Sequence, residues 1–406
     1  MRILRARQRP YRLTLKRPWV AAATVLHERQ GAVLAIESED GFIGHGDCAP
    51  LPSSGSAGHA RVFAALAMLV ERLPGRGESA DILDKTTPPE LRWALETALA
   101  DIDAQRADVS LARYLNACAG DLPTGRPEAS RRAPEAQPAP QSDSSHPVTY
   151  ARSAQAVSPP AREGLGEGGR NLGADDTALR VLVNAALGAL NDGVVVRAET
   201  AVAQGFAIGK IKVGVAPVDD ELARLRELHA AAPSLRLRLD ANRAWSAADA
   251  RRFLPALADL PIDAVEEPLA EPTPEHLADL QRVLPFAIAI DESLPQLGAT
   301  ALFLAGAMRR LVLKPARLGG IAATRALVAR ARDAGVETVL TSVVDSAVGV
   351  TAVAHLAVAI APDMTHGLAT LDWLAADVAL PPPLRDGALW LGDAPGLGLR
   401  LRDEFA

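Results

Sequence analysis

The stretch "FAIGKIKVGVAPVDDELARLRELHAAAPSLRLRLDAN", residues 206–242, decides how the fold is read. Two short apolar runs, one closing on Lys210 and Lys212 and the other on Asp240, flank a segment with helical amphipathicity. A strand, a helix and a second strand in that order specify two parallel strands joined by a crossover helix. The alternation continues on both sides. The strand candidates are "ALRVLVNAAL", "FAIGKIKVG", "SLRLRLDAN", "DAVEEPL", "FAIAIDES", "RLVLKPA", "ETVLTSVVD" and "HGLAT", with helical stretches such as "IAATRALVARARDAG" between them. Eight candidates suggest a closed β/α barrel rather than an open sheet. The glycine-rich dinucleotide fingerprint is missing after the first of them, which disfavours the Rossmann alternative.

Five successive candidates end in ionisable residues: Lys210 and Lys212, Asp240, Glu266 and Glu267, Asp291 and Glu292, and Lys314. The C-terminal edge of barrel strands is where active sites are built. Side chains alternate faces along a strand, so parity selects the inward ones. Ile288 and Ile290 outward leave Ala287, Ala289 and Asp291 inward; Leu311 and Leu313 outward leave Val312 and Lys314 inward; Val265 outward turns Glu266 inward; and Arg236, Arg238, Asp240 and Asn242 share a face. Three inward carboxylates on adjacent strands repel one another unless a cation joins them. Oxygen ligands without His or Cys suit Mg²⁺, with Mn²⁺ able to substitute. The alternative is neutralisation by the nearby Arg236, Arg238 and Arg243.

The lysines strengthen the first reading. Of 43 basic residues only five are lysine (Lys16, Lys85, Lys210, Lys212 and Lys314), and the rest are arginine. An ammonium can lose its proton where a guanidinium effectively cannot. A lysine beside a second lysine has its pKa lowered by like charge, so Lys212 is the expected base, tuned by Lys210. The second and sixth strands of an eight-stranded barrel lie opposite each other. Lys314 is then either an opposing acid or a fixed cation, and a divalent ion on a substrate carboxylate stabilises charge as the α-proton leaves.

The remaining features set bounds. The net charge of -6 argues against a nucleic-acid partner. Two cysteines, Cys48 and Cys118, exclude a disulfide scaffold and a cysteine zinc site and fit a reducing cytosol. The N-terminus lacks a signal-peptide core, and no uncharged run approaches the ~20 residues that span a bilayer, so a cytoplasmic protein off the membrane is expected. Residues 1–119 read as strands then helices, an α+β pattern. Residues 120–176, rich in Pro, Ser and Gly, carry almost no apolar periodicity and read as a disordered insertion. The barrel is expected over 177–374, with a tail over 375–406. The histidines show no acid partners at strand ends, and Trp245 in "RAW" is expected to pack.

The motifs "KIKVG", "RLDANRAW", "VEEPL", "AIDESL" and "LKPARLGG" resemble the enolase superfamily, in its muconate-lactonizing branch with KxK on strand two and a lone Lys on strand six. That superfamily is itself a standard example of Lys-plus-Mg²⁺ chemistry. The resemblance implies a modified (β/α)7β barrel, (β/α)8-like, with an α+β capping domain made from the N-terminal region and the C-terminal tail. It implies Lys212, Lys314 and Lys210 as catalytic residues and Asp240, Glu266 and Asp291 as metal ligands. Within the branch, "GHGDCAPLPSSGS", "TSVVDSAVG", "HGLATLDWL" and "LWLGDAPGLGLRL" are most similar to the o-succinylbenzoate synthase family of menaquinone biosynthesis. There the Lys matching Lys212 takes an α-proton and assists departure of a hydroxyl, and the Lys matching Lys314 stabilises the enediolate. Substrate contacts are expected from Asn242, Ser342, Gly367 and the loop beginning at Pro52. The chain departs from the family pattern at Asp47, where Glu is usual, and at Ala369, where Asp is usual. Competing readings are an N-succinylamino acid racemase, a dipeptide epimerase, a muconate cycloisomerase, and an inactive barrel serving as a binding protein. Oligomeric state leaves no mark in the sequence.

Overall fold

A computed structural model describes residues 1–21, 24–76, 83, 86–118 and 179–405; the stretch expected to be disordered, 120–176, lies outside these. Met1–Ala119 and Ala178–Ala406 pack into one compact unit.

The chain opens with an antiparallel meander of β1 (Ile3–Ala21), β2 (Thr24–Ser38) and β3 (Ile43–Cys48). Tyr11, Leu13 and Leu15 are buried while Arg12, Thr14 and Lys16 are exposed, the period of two that makes a one-faced sheet. Three helices follow: α1 (His59–Arg72), α2 (Pro89–Arg106) and α3 (Leu111–Ala117). The backbone of α2 lies so close to β3 that a Cβ at Gly44 or Gly46 would strike the carbonyl of Ala98 or Ala94. This close approach explains the glycines of "IGHGDC".

The second half alternates as β4 (Arg180–Leu182), β5 (Ala185–Ala189), α4 (Val194–Ala203), β6 (Ile208–Lys212), α5 (Val218–Ala231), β7 (Arg236–Asp240), α6 (Ala247–Phe253), β8 (Ile262–Glu266), α7 (Pro274–Val283) and β9 (Ala287–Ile290). It continues through α8 (Leu294–Leu297), α9 (Ala299–Ala305), β10 (Arg310–Leu313), α10 (Pro315–Leu318), α11 (Ile321–Asp333), β11 (Glu337–Leu340) and α12 (Ala347–Ile360). Seven of these strands pair in parallel in chain order, from β5 to β11. The eighth candidate, "HGLAT", does not form a strand of its own. Two bridges do its work, Thr341 to Gly367 and Val183 to His366, and together they close the ring between β11 and the approach to β5. The first candidate also divides, because β4 leaves the barrel to pair with β13 (Ala388–Trp390) beside β12 (Leu384–Arg385).

Inside the ring, Ala264, Ala287, Ala289 and Val312 form a small apolar cluster of their own, whereas Val265, Ile288, Ile290, Leu311 and Leu313 join the main core between strands and helices. The alternation read from the sequence therefore holds for β8, β9 and β10. Two pairings interrupt the regular register, that of β5 with β6 beside Leu187 and that of β7 with β8 at the start of β8. The pairing of β7 with β8 steps from Leu237–Ile262 to Arg238–Ala264, so Asp263 is an extra residue in a bulge. Its carboxylate accepts from Arg238 at 2.8 Å and Arg310 at 2.5 Å, closing one end of the barrel with a buried ion cluster. All three residues are nearly inaccessible.

Helix α12, "AVGVTAVAHLAVAI", is apolar on almost every face because it is buried between the barrel and the N-terminal helices. The tail returns to the N-terminal region: Gly396 bridges Ser110, and the Leu397 amide donates to Asp101 Oδ1 at 2.8 Å. Among the described residues, no helix is long and apolar enough to cross a membrane.

Candidate active site

The polar ends of β6 to β10 converge. Lys210 Nζ donates to both Glu266 oxygens at 2.8 Å and lies 2.9 Å from Asp240 Oδ2. Lys212 Nζ donates to the same Asp240 oxygen at 2.7 Å and to Asn242 Oδ1 at 2.5 Å. Lys314, after β10, pairs with Asp291 Oδ2, after the neighbouring β9. The structure thus brings together the three lysines, the three expected ligands and Asn242. Asp240 and Glu266 are shut off from solvent; Lys210, Lys212 and Lys314 keep part of their side chains open.

Asp240 Oδ2 lies between two ammonium groups, which offsets the like-charge repulsion invoked to tune Lys212. Burial alone would lower Lys210, but Asp240 and Glu266 hold it above its ordinary value. Burial likewise opposes ionisation of Asp240, yet the two lysines keep it below the usual carboxylate range. Glu266 goes the other way. Burial, then the charge of Asp240, pushes it up to about 7. The arginines take no part: Arg236 and Arg238 face Asp263, and Arg243 donates to the carbonyl of Ala270.

Among the described residues, carboxylate oxygens of Glu266, Asp291 and Glu292 gather within 4.8 Å of one another. Asp240 is joined to this group through Lys210. Such a set, all hard oxygen with His and Cys absent, fits an Mg²⁺-like cation. Glu292 is the member sequence reasoning did not select, although it stands beside Asp291 in "AIDES". It also accepts from Asn242 Nδ2 at 3.3 Å. Glu267 plays a different part. It accepts from the amides of Asp291 and Ser293 and from the Ser293 hydroxyl, at 2.7, 2.9 and 2.6 Å, so its carboxylate fixes the turn that carries Asp291.

The other expected substrate contacts are spread around the rim. Ser342 is buried, its hydroxyl shared with Thr370 and the Val344 amide. Gly367 lies at the closing bridge, where a Cβ would meet Thr341 Oγ1 at 2.8 Å. Pro52, itself exposed, opens the turn Pro52–Ser54, closed by Ser56. Trp245 packs edge-on against Phe253, centroids 4.8 Å apart.

A buried polar seam joins this rim to the N-terminal sheet. Arg29 donates to the carbonyls of Ala49, Pro50 and Val343 at 2.5, 2.8 and 3.1 Å. Asp47 accepts from Tyr11 Oη at 2.8 Å, the Ser346 hydroxyl at 2.8 Å and the Ser346 amide at 3.1 Å. Asp47, a departure from the family pattern, therefore caps the start of α12. Its packing against Gly349, whose added Cβ would come within 2.6 Å, limits the space for a longer carboxylate. Between these anchors Val344 holds φ 60°, a strained value for a β-branched residue.

Comparison with known proteins agrees with this architecture. The family model for the mandelate racemase / muconate lactonizing enzyme N-terminal domain matches residues 5–115, and that for the enolase C-terminal domain-like family matches 193–405. An o-succinylbenzoate synthase of Yersinia pseudotuberculosis is 36% identical over 183 residues, covering 44% of this chain and 55% of that protein. One from Desulfotalea psychrophila is 33% identical over 178 residues, covering 42% and 48%. The chain spans about half the length of these curated relatives. A dipeptide epimerase from Enterococcus faecalis, solved with Mg and L-Leu-L-Tyr, superposes with TM-score 0.75 at 22% identity, covering 98% of this chain and 100% of that one. A muconate lactonizing enzyme from Pseudomonas fluorescens gives 0.74 at 21%, covering 99% and 97%. With both family models spanning the cap and the barrel, the chain belongs to the enolase superfamily.

Proposed function

We propose that the protein is an o-succinylbenzoate synthase, a hydro-lyase that dehydrates 2-succinyl-6-hydroxy-2,4-cyclohexadiene-1-carboxylate in the cytoplasm during menaquinone biosynthesis. The observation that carries the reading is the placement of Lys212 and Lys314 on either side of the Asp240–Glu266–Asp291 carboxylates. The similarity to the named synthases supports this substrate. In the same reading, residues 1–119 and the tail 375–406 cap a barrel of residues 177–374.

Asp240, Glu266 and Asp291 would hold Mg²⁺, with Mn²⁺ as a substitute and Glu292 at hand. Bound there, the cation would offset the negative charge that develops on a substrate carboxylate when the adjacent proton leaves. Lys212 Nζ removes that α-proton, oriented by its bonds to Asp240 and Asn242. It then returns the proton to the departing hydroxyl on the same face, so one water leaves and the ring becomes aromatic. Lys314, held by Asp291, supplies fixed positive charge opposite the base.

The test is loss of the diene's ultraviolet absorbance on mixing with protein and Mg²⁺. Rapid turnover that disappears with chelator and in Lys212→Arg supports the reading. A folded wild-type protein that leaves the diene untouched rejects it.

The flanking lysines also support a second reading, racemisation or epimerisation of N-succinylamino acids or dipeptides, with Lys212 and Lys314 acting on opposite faces. Exchange of the substrate α-proton in D₂O distinguishes it, and an inactive binding barrel exchanges nothing.

A further inference from the structure

Arg317 lies three residues beyond Lys314, in the single turn α10, and its own amide donates to the Lys314 carbonyl at 2.8 Å. Its side chain leaves the barrel and enters the cap. Nη1 donates to Ser56 Oγ at 2.9 Å and to Glu90 Oε1 at 3.4 Å. Ser56 closes the loop that begins at Pro52: its hydroxyl accepts from the Leu51 amide at 2.9 Å and donates to Glu90. Glu90, at the start of α2, is fully buried, and its second oxygen, Oε2, makes no hydrogen bond. Arg317 thus places a basic group on this buried carboxylate. The guanidinium also lies against Gly55, where an added Cβ would stand 2.9 Å from Nη2 and where φ is +88°. Glycine is required there for both reasons.

We infer that Arg317 is a positioning residue that sets the height of the Leu51–Ser56 loop over the barrel mouth relative to Lys314. Besides Arg317 the loop has two anchors: the Ser56 hydroxyl donates to Glu90, and Arg29 holds the Pro50 carbonyl at its base. Pro52 and Ser53 are exposed, and its internal bonds are Gly55 to Pro52 and Ser56 to Leu51. Arg317 joins it to the strand-six turn by a charge-assisted bond between parts of the chain 261 residues apart. A loop held in this way fixes the far end of a substrate whose reacting end meets Lys212 and Lys314. Its loss weakens binding more than proton transfer. The inference rests on the functional reading above only where it speaks of substrate.

The experiment compares wild type with Arg317→Gln, Arg317→Lys and Ser56→Ala, the last keeping the Arg317–Glu90 pair intact. Hydrogen exchange of peptides covering 49–58 is measured without substrate, and steady-state kinetics with the cyclohexadiene carboxylate. Faster exchange confined to that peptide is expected in Arg317→Gln and Ser56→Ala, with partial recovery in Arg317→Lys. KM is expected to rise about tenfold, the worth of one charged hydrogen bond, with kcat within about threefold. Exchange unchanged in both variants overturns the positioning role, as does a fall in kcat with KM unmoved. If wild type turns over no diene while the exchange result holds, the substrate reading fails and the tether stands.

Discussion

Lys212 Nζ lies 2.7 Å from Asp240 Oδ2, so the residue proposed as base and a residue proposed as metal ligand share one hydrogen bond. The pairing orients the amine and also couples base to ligand. Lys212→Arg keeps a positive charge and replaces the amine with a guanidinium that cannot serve as a base. Turnover of the diene is expected to fall by roughly 10²–10⁴-fold, the usual worth of a general base. Mg²⁺ binding, followed by calorimetry, should persist. Retention of diene turnover by the arginine variant would remove Lys212 from the role.

The buried carboxylates predict a stabilising response to metal. Glu266 is pushed up by burial and by the charge of Asp240, so a cation in the cluster relieves repulsion as it binds. Saturation at a hundredfold over Kd adds about 2.7 kcal/mol to folding stability. Mg²⁺ should therefore raise Tm and EDTA should reverse it. Glu266→Gln and Asp291→Asn should abolish the shift, whereas the exposed Glu292→Gln should reduce it less.

Asp47 caps α12 from the N-terminal sheet, accepting from both the amide and the hydroxyl of Ser346. Asp47→Asn keeps the shape but can set a donor against a donor. A loss of about 1–3 kcal/mol is expected in urea unfolding, the cost of a buried group left without its bond. An unchanged midpoint would show that the seam relaxes at no cost.

His366 is buried, its Nδ1 accepting from the Leu340 amide at 2.9 Å and its Nε2 facing the Ala361 carbonyl at 3.0 Å. Burial lowers its pKa from 6.5 to about 4. The folded value is depressed, so the stability it contributes is complete above about 6.5 and is lost as pH falls through about 4. The span is worth roughly 3 kcal/mol. The stability gap between wild type and His366→Gln should be widest at neutral pH and shrink towards pH 4. Buried carboxylates such as Asp345, raised to about 7 chiefly by burial, shift stability the opposite way in both proteins. Only the difference between the two curves isolates the histidine.

Strand order, the inward face of β8 to β10 and the meeting of Lys210, Lys212, Asp240, Glu266, Asp291 and Lys314 were legible in the sequence. Each followed from a local rule: side chains alternate with period two, and parallel strands joined by helices present their C-terminal ends together. Scarcity of lysine marked the three lysines among them independently. Local rules failed where geometry was irregular. The bulge that turns Asp263 into the barrel leaves no trace in "LPIDAVEE", and the closing strand at "HGLAT" contracts to two bridges.

The tertiary structure alone decided which distant groups meet away from the strand ends. Arg29 reaches Val343 across 314 residues, Ser346 reaches Asp47 across 299, and Arg317 reaches Ser56 across 261. These contacts fix the cap on the barrel and give residues partners that no motif named. A sequence displays the repeats that make strands and helices because those depend on near neighbours. It carries no comparable signal for two side chains brought together by the closure of a barrel, since their distance is set by every element packed between them.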